Sequence, residues 1–423
     1  MASTTESLPQ GVIPLRGVVQ NYAWGKTGAT SSVARLARVP IEATTPYAEL
    51  WLGTHVSGPA TVTPHDSSSS QPLADYLATS IEGYKDGLPY LLKVLSIRQA
   101  LSIQAHPDAQ LASTLHQKFP TIYRDPNHKP ELAIAVTPMH VMCSFRPVNE
   151  ISDFLCHIPE LRQLIGEDLA TSFVDAARTF SSPSTPTTLP EDLKSKLEGA
   201  YGALLKASDD TVKLALKSLL ERIDEKAPAV ASIALADWDF LVQVIRTISK
   251  DYEGDVGVMS VFFLNVLKLE PGQAVFLAQN EPHAYLSGDC IECMATSDNV
   301  VRAGLTPKFK DVETLLHMLT YKCGRPIIDT GSSQGQWRLY KPPVKEFKVF
   351  STKGTKIELP LLQGPSILLV FEGSGGFLTE CGKVTQQSAC TDGSSYFIHP
   401  NTKATIIGRE GTEITAFMAT INP

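Results

Sequence analysis

Ser102-Ile103-Gln104-Ala105-His106-Pro107 is the stretch of sequence that decides the fold. It places an amide and an imidazole two residues apart, and in an extended strand two such side chains lie on the same face of the sheet. The segment that precedes it, Pro89-Tyr90-Leu91-Leu92-Lys93-Val94-Leu95-Ser96, is apolar and typical of a strand with a buried side. The pattern therefore predicts a β-sheet on which Gln104 and His106 could together hold a metal ion rigidly.

The composition indicates a soluble globular protein of more than one domain. The chain has 423 residues and a mass of 45.9 kDa, which is enough for two or three domains that each bury a core. Hydrophobic residues make up 43% and charged residues 19%, and no apolar run approaches the ~18 residues of a membrane span. We therefore expect no membrane association.

Charge, cysteines and the N-terminus favour a cytoplasmic protein that does not bind nucleic acid. The formal net charge is -7, and the lysines and arginines are scattered rather than gathered into a stripe. The 7 cysteines are an odd number spread over a long chain, so we expect reduced thiols rather than a disulfide scaffold. Residues 1–7 lack the basic start and apolar core of a secretory signal.

The period of the apolar residues divides the chain into parts. Strand-like patterns give way near Glu150 to apolar residues at steps of three and four, which predicts a helical insertion. From about residue 340, short strands separated by glycine turns predict an antiparallel sandwich or barrel. We therefore predict a mixed, mainly β fold with three domains: residues 1–149 plus 251–325, residues 150–250, and residues 326–423.

Local patterns predict individual elements. Met259–Leu269 and Ala274–Ala278 flank a turn and predict a β-hairpin. Leu111, Leu115 and Phe119 recur at spacings of four and predict a short helix opened by Pro107 and Asp108. A second short helix is predicted over 31–39, with Ser31 or Ser32 as its cap. Glu131 begins an apolar segment that predicts a strand.

Four side chains form a candidate metal site. A zinc ion needs a few nitrogen and oxygen ligands at ~2.0 to 2.2 Å, with one position open if the site is catalytic. Gln104, His106, Glu131 and His283 could supply such a set. Lys129 lies two residues before Glu131 and points the same way if the chain is extended there. The alternative is a polar cluster whose members satisfy one another, since glutamine is an uncommon zinc ligand.

Cys290-Ile291-Glu292-Cys293 carries a carboxylate between two thiols. No second cysteine pair completes a four-thiolate site, and residues three apart on a strand face opposite sides, so we predict no thiol site. Glu292 could act as a general base beside a metal, or it could be a surface charge. Arg302 and Lys308 suit phosphate or carboxylate binding, although each alone could be a solvated charge. The sequence has no P-loop, which disfavours a P-loop nucleotide enzyme.

Several long strings of residues are distinctive as whole strings. Trp24 and His55 lie within two of them and, taken alone, could be ordinary core residues. The strings are Gln20-Asn21-Tyr22-Ala23-Trp24-Gly25-Lys26, Pro46-Tyr47-Ala48-Glu49-Leu50-Trp51-Leu52-Gly53-Thr54-His55, Leu101 to Pro107, Asn127 to Glu131, and Gly288 to Lys308. In these strings the chain resembles the type I mannose-6-phosphate isomerases (phosphomannose isomerases) of eukaryotes. The resemblance runs essentially from end to end and keeps the family's order.

The resemblance implies a fold and a set of site residues. The fold would be of the cupin type, with a jelly-roll catalytic domain interrupted by a helical domain and followed by a second jelly roll. One zinc per chain would be held by Gln104, His106, Glu131 and His283. Arg302 matches the family's active-site arginine. The positions that match the phosphate end of the sugar site are Ser102, Lys93 and Lys308, and Trp24 and His55 would complete the pocket.

The resemblance also implies a reaction, the interconversion of mannose 6-phosphate and fructose 6-phosphate through ring opening and a cis-enediol. Such a reaction needs a base near C2, stabilisation of the developing oxyanion, and a pocket for the phosphate. Zinc would act as a Lewis acid, assisted by Arg302 and Lys129. Candidates for the base are Glu292, Lys129 and a metal-bound water, and we favour Glu292 because burial can shift a carboxyl pKa toward neutrality. Tyr285 and His55 could carry protons during ring opening.

Two other functions stay open from the sequence. A non-catalytic sugar-binding or regulatory protein could keep the same fold, and a metal-dependent dioxygenase would need open positions on a redox-active iron. In the implied role, a monomer would act on a small phosphorylated sugar and supply mannose 6-phosphate for GDP-mannose synthesis and glycosylation.

Overall fold

Two large antiparallel β-sheets, a three-stranded and a two-stranded sheet, and a block of helices make up the fold of the described residues. The computed structural model describes residues 8–64, 69–181, 185–225, 237–378 and 390–422. The first seven residues, on which the expectation about a secretory signal rests, lie outside the described residues. The strands are β1 (Val12–Arg16), β2 (Val18–Gln20), β3 (Lys26–Thr27), β4 (Pro46–Tyr47), β5 (Glu49–Gly53), β6 (Thr61–Val62), β7 (Gln71–Pro72), β8 (Tyr90–Ile97), β9 (Ile103–Ala105), β10 (Glu131–Ala135), β11 (Met139–Phe145), β12 (Leu264–Leu269), β13 (Ala274–Leu277), β14 (His283–Ala295), β15 (Val301–Gly304), β16 (Ile328–Asp329), β17 (Ser332–Gln334), β18 (Trp337–Tyr340), β19 (Lys348–Gly354), β20 (Lys356–Glu358), β21 (Ser366–Glu372), β22 (Gly375–Phe377), β23 (Ser395–Ile398), β24 (Thr405–Gly408) and β25 (Ile414–Thr420). The helices are α1 (Ser32–Leu36), α2 (Leu73–Ser80), α3 (Ala109–Lys118), α4 (Val148–His157), α5 (Pro159–Ile165), α6 (Glu167–Ala177), α7 (Glu191–Leu205), α8 (Asp209–Asp224), α9 (Trp238–Asp251) and α10 (Val312–Met318).

The first sheet carries the residues of the predicted site. Its longest path runs in the order β16-β13-β10-β14-β8-β5-β2, and β9, β11, β12 and β15 join it through β14. β14 pairs with β8, β9, β10 and β11, so the other strands are arranged around it. All of β8 and nearly all of β14 are buried, which explains why β8 is an almost unbroken apolar run without alternation.

The helical block packs through one apolar stripe per helix. In α4, for example, Ile151, Phe154 and Leu155 are buried at steps of three and four, as a helix against a core requires. Buried residues of α4 to α9 form one cluster with strand residues such as Phe145 and Val301. The helices predicted over 150–250 are therefore confirmed, and they rest directly on the first sheet.

The second sheet is built from the C-terminal strands and the start of the chain. Its order is β17-β18-β19-β25-β21-β23-β1-β6-β7. Val12 of β1 pairs with Ile398 of β23, and the Ser395 hydroxyl donates to the Leu15 carbonyl at 2.8 Å. One face of this sheet shares a core with the first sheet, through residues such as Phe397 and Leu92. The expected C-terminal β-structure is therefore present, and an N-terminal strand belongs to its sheet.

The predicted hairpin of Met259–Leu269 and Ala274–Ala278 is wrong. Val256–Phe262 forms a 3₁₀ helix, and a strand begins only at Leu264. β12 then pairs with β11, whereas β13 pairs with β10 and β16. The turn between them therefore leads from one ladder to another, because each strand gains an antiparallel partner elsewhere in the sheet.

The two short helices are confirmed with their caps. The Ser31 hydroxyl accepts the Ala34 amide at the start of α1, and the Asp108 carboxylate accepts the Leu111 amide at the start of α3. Phe119, however, is 50% exposed, because α3 ends at Lys118 and the aromatic side chain falls outside its buried face.

Asn265 joins three segments behind the first sheet. Its buried side-chain amide lies 3.1, 3.0 and 2.9 Å from the carbonyl oxygens of Ser144, Phe145 and Gly324. It thus satisfies backbone groups where β11 ends and where the chain leaves α10 toward β16.

The predicted fold class, mainly β with a helical insertion and a further C-terminal β-region, is confirmed. The division into three domains stays a proposal. Across the described ranges, no helix combines the length and the apolar character needed to cross a bilayer.

Candidate active site

A cavity of about 790 Å³ opens on the first sheet and gathers most of the predicted site residues. His106 and His283 lie just beneath its wall, 0% and 1% exposed. Glu49, Trp51, Asp255 and Asp298 also line the cavity, although they are not among the predicted site residues. The predicted residues that line it are Trp24, His55, Lys93, Ser102, Gln104, Lys129, Glu131, Tyr285, Glu292, Arg302 and Lys308.

His106, Glu131 and His283 form a buried cluster in which one ligand atom from each lies within 4.8 Å of the others. Glu131 is the first residue of β10, and His283 is the first residue of β14. Gln104 on β9 pairs directly with His283, and its Oε1 accepts the Ser102 hydroxyl at 3.3 Å. Strand pairing thus brings together residues that are far apart in the sequence.

The hydrogen bonds of the two histidines fix their tautomers. His106 Nδ1 lies 2.6 Å from the Asn299 carbonyl oxygen, and His283 Nδ1 lies 3.0 Å from that of Glu281. A carbonyl oxygen only accepts, so both Nδ1 atoms carry the proton and both Nε2 atoms present a lone pair. Both buried Nε2 atoms lack a hydrogen-bond partner in the described structure.

A bound cation fits this arrangement. His106 Nε2 lies 3.1 Å from Oε1 of Glu131, and His283 Nε2 lies 3.6 Å from Oε2, so lone pairs face a carboxylate. Two imidazoles and a carboxylate are a ligand set that zinc accepts, and a histidine whose other nitrogen donates to a carbonyl is already oriented for metal binding.

The charge states of the cluster are those of metal ligands. Burial and the Lys129 ammonium lower the pKa of His106 to about 4, so its imidazole is neutral at pH 7. Burial by itself raises the pKa of Glu131, but the Lys129 ammonium opposes it, and the pKa lies well below its ordinary value. Lys129 Nζ lies 2.9 Å from Oε1 of Glu131, as their spacing on an extended segment predicted.

Lys93 lies between two carboxylates in the floor of the cavity. Its Nζ is 3.0 Å from Oε2 of Glu292 and 3.5 Å from Oε2 of Glu49. Burial lowers the pKa of Lys93, but Glu292 and Glu49 outweigh it and raise the pKa above its ordinary value. Burial also raises the pKa of Glu292, and Lys93 opposes that shift. The Lys93 charge, predicted to contact phosphate, is therefore already compensated by carboxylates.

Arg302 and Lys308 differ from Lys93 because neither makes an ion pair within the described residues. Burial lowers the pKa of Arg302, and burial together with Arg302 lowers that of Lys308. Both pKa shifts express unfavourable positive charge that an anion between the two side chains would relieve. Ser102 lines the same cavity.

The segment that carries these two cations, β15 with Arg302 and the loop after it with Lys308, is anchored by Asp255. Its Oδ1 accepts the amides of Gly257 at 2.7 Å and Leu305 at 2.8 Å. A Cβ on Gly304 would lie only 2.8 Å from the Gly257 Cα, so the two backbones approach as only glycine permits. The end of β15 and the start of the following loop are therefore held firmly against the 3₁₀ helix.

The remaining predicted residues line the cavity in defined states. The Tyr285 hydroxyl donates to Oε2 of Glu131 at 3.4 Å, and burial raises its pKa well above the ordinary value. His55 Nδ1 accepts the Ser57 amide at 3.2 Å, so its Nε2 carries the proton and donates toward Oδ1 of Asp298 at 3.3 Å. Trp24 stacks on Tyr22, with 5.9 Å between the ring centroids.

The sequence around Glu49 and Trp51 carries a signal of a buried ionisable residue. Glu49-Leu50-Trp51-Leu52-Gly53 alternates a carboxylate and an aromatic donor with leucines. An ionisable residue inside such an apolar strand needs a partner, and Lys93 on the neighbouring strand provides it. Asp255 has no comparable signal in the sequence, because its carboxylate accepts hydrogen bonds from backbone amides, and no particular residue type marks such a donor.

Comparisons with known proteins agree with this geometry. The model of the type I phosphomannose isomerase catalytic domain matches residues 12–148, and that of the helical insertion domain of the same family matches residues 164–264. The mannose-6-phosphate isomerase of Homo sapiens is 41% identical over 86% of this chain and 88% of its own length. That of Saccharomyces cerevisiae is 38% identical over 96% and 97%.

A solved structure points the same way. A zinc-bound mannose 6-phosphate isomerase superimposes with a TM-score of 0.77 at 26% identity, covering 98% of this chain and 100% of the other. Matched family models over both regions, and relatives of this identity over most of their length, leave one assignment. The chain belongs to the type I phosphomannose isomerase family.

Proposed function

We propose that the chain interconverts mannose 6-phosphate and fructose 6-phosphate as a zinc-dependent isomerase working through a cis-enediol. One observation carries the proposal: a buried carboxylate and two uncompensated cations line a single cavity, and Glu131 of the metal-type cluster lines the same cavity. An aldose phosphate needs those three features together, since its phosphate, its carbonyl oxygen and its C2 proton are handled by different chemistry.

His106, Glu131, His283 and Gln104 would hold one zinc ion per chain. When bound, zinc supplies Lewis-acid polarisation of a sugar oxygen. The donors support this role because the two imidazole lone pairs already face the Glu131 carboxylate.

Arg302 and Lys308 would bind the phosphate, with Ser102 as a hydroxyl donor. Charge-assisted hydrogen bonds to phosphate are short and strong, and a dianion would offset the repulsion between the two cations. Lys93 would not contact the phosphate directly, because two carboxylates already surround its ammonium group.

Glu292 would move the proton. Its carboxylate takes the proton from C2, the electron pair of the broken bond forms the C1–C2 double bond, and the carbonyl oxygen at C1 takes up the negative charge. Protonation of the C1 oxygen gives the cis-enediol, the proton held by Glu292 then returns to C1, and the O2 proton replaces the one taken up at O1, so that C2 becomes the carbonyl carbon of the ketose. The raised pKa of Glu292 makes it a stronger base than an exposed carboxylate. Lys129 beside Glu131 would stabilise the developing oxyanion.

Ring opening would precede the isomerisation. The protonated Nε2 of His55 and the Tyr285 hydroxyl line the cavity and could exchange protons with the ring oxygen and the anomeric hydroxyl. Trp24 would pack against the sugar.

Glu292→Gln tests the assignment of the base. We expect a loss of roughly 10²- to 10⁴-fold in kcat together with loss of solvent deuterium incorporation at C2, because the amide cannot accept the proton. Glu42→Gln, on the exposed segment before β4, is the matched control and should leave both unchanged. Full isomerisation and full C2 exchange in Glu292→Gln would show that another group is the base.

Assays on the purified unmodified protein distinguish an isomerase from a sugar-binding protein and from a dioxygenase. A binding protein would form no fructose 6-phosphate, and a dioxygenase would contain iron and consume oxygen. We further propose a cytoplasmic monomer whose mannose 6-phosphate feeds GDP-mannose synthesis, and light scattering in solution tests the monomer.

A further inference from the structure

Glu49, Lys93 and Glu292 lie side by side on adjacent strands of the first sheet. Lys93 of β8 is directly opposite Trp51 of β5 on one side and Glu292 of β14 on the other. Glu49 is two residues before Trp51 and therefore points to the same face of β5. The side chains of Lys93, Glu49 and Glu292 are 7%, 9% and 3% exposed, so solvent hardly screens their charges.

Their contacts form a chain that ends at the proposed base. The Trp51 indole N–H donates to Oε2 of Glu49, and the same Oε2 lies 3.5 Å from the Lys93 ammonium. Lys93 Nζ lies 3.0 Å from Oε2 of Glu292, and it sits 5.1 Å from the centre of the Trp51 ring. Trp51 thus fixes Glu49 and supports Lys93 from below.

One ammonium shared by two carboxylates behaves differently from an ion pair. An ammonium has three donors and a flexible stem, so its position follows the carboxylates around it. With Glu49 present, Lys93 is held from both sides and contacts Glu292 at one oxygen. Without the charge of Glu49, Lys93 would be drawn wholly onto Glu292 and would occupy the oxygen that must reach the substrate.

We propose that Glu49 is a positioning residue that acts through Lys93 to hold the Glu292 carboxylate in the orientation required for proton transfer. The inference rests on the proposed function, since it assumes that Glu292 moves a proton. It assigns Glu49 no contact with the reacting atoms. The competing possibility is that Glu49, which also lines the cavity, binds a sugar hydroxyl directly.

The two possibilities differ in their kinetic signature. A misplaced base lowers kcat while the phosphate contacts continue to set KM, whereas a lost sugar contact raises KM. If Glu49 acts through Lys93, its removal changes nothing once Lys93 is gone, and the two substitutions are not additive. If it contacts the substrate, the two effects multiply.

The experiment is a double-mutant cycle of Glu49→Gln and Lys93→Met in the zinc-loaded protein, with mannose 6-phosphate as substrate. We expect Glu49→Gln to lower kcat about tenfold with KM within about twofold, and the double variant to match Lys93→Met alone within about twofold. Glu42→Gln again serves as the matched control for the substitution.

Each outcome of this experiment either supports or overturns the inference. The inference would be overturned if the effects of the two substitutions on kcat multiply, if only KM changes, or if Glu49→Gln leaves both constants unchanged in an active preparation. The proposed function would stand in each of these cases. Absence of isomerisation in the unmodified protein would overturn both. If Glu49→Gln does not fold, Trp51→Phe takes its place, because it removes the donor to Glu49 and keeps the ring under Lys93. A smaller fall in kcat that disappears in the Lys93→Met background supports the inference, and any other result counts against it.

Discussion

Lys308→Met removes one of the two uncompensated cations of the cavity and keeps a side chain of similar length. The loop geometry should survive, because Asp255 holds the loop through backbone amides and the Lys308 amide itself donates to the Thr306 hydroxyl oxygen. The substitution therefore tests the phosphate contact by itself.

The magnitude follows from the surroundings of Lys308. A hydrogen bond to a charged group contributes about 1.5–3 kcal/mol. Lys308 is exposed to solvent, whereas Lys93 is buried, so the lower end of that range applies. A loss of about 1.5–2 kcal/mol corresponds to roughly a 10- to 30-fold rise in KM, at about 1.4 kcal/mol per tenfold change.

Steady-state kinetics with two substrates make the test specific. KM for mannose 6-phosphate should rise, whereas kcat/KM for unphosphorylated mannose, however small, should not change. Lys310→Met is the matched control, since Lys310 lies in the same loop and does not line the cavity. An equal loss for both sugars, or an unchanged KM for the phosphorylated one, would refute the assignment of Lys308 to the phosphate.

Other expected outcomes concern the metal, the core and pH. Chelation of the metal should abolish isomerisation. It should also lower the free energy of unfolding by about 3–4 kcal/mol, compared with protein in free zinc at some 10²–10³ times the zinc dissociation constant. Calorimetry after zinc is added back should show that the stability recovers. Asn265→Ala should cost about 3 kcal/mol in urea unfolding, because it leaves buried carbonyls such as that of Gly324 without a donor. The hydrogen bond between His128 and Glu346 raises the pKa of His128 and lowers the pKa of Glu346. The pair therefore contributes its full stability between about pH 4.5 and 6.5. That contribution is lost as the pH rises through the His128 pKa or falls through the Glu346 pKa. His128→Gln should therefore lose less than about 1 kcal/mol near pH 6 and nothing at pH 9 in unfolding titrations.

The sequence predicted the parts of the site that depend on short spacing. The Lys129 ammonium contacts the Glu131 carboxylate because alternation along an extended segment is a local property. Glu292 and the two flanking thiols follow the same rule, since Cys290 and Cys293 lie in different core clusters on opposite faces of β14. Helix caps such as Ser31 are equally local.

The parts that failed depend on which strands pair. The apolar residues before and after 270–273 suit a hairpin, but β12 and β13 find other partners, and no local pattern encodes that choice. The same limit hid the role of Glu49, because its partner Lys93 lies on another strand. For the same reason the sequence does not show which cations lack an ion-pair partner. Only the folded structure shows that carboxylates surround Lys93 and not Lys308.

The pairing of β1 with β23 has a consequence for biosynthesis. The two strands are separated by nearly the whole chain, as the hydrogen bond between Leu15 and Ser395 across 380 positions shows. A ribosome must therefore release the chain as far as β23 before this sheet can close, and until then β1 presents an unpaired edge. We expect the sheet to assemble late and slowly, as non-local β contacts do, and prematurely terminated chains to aggregate through that edge.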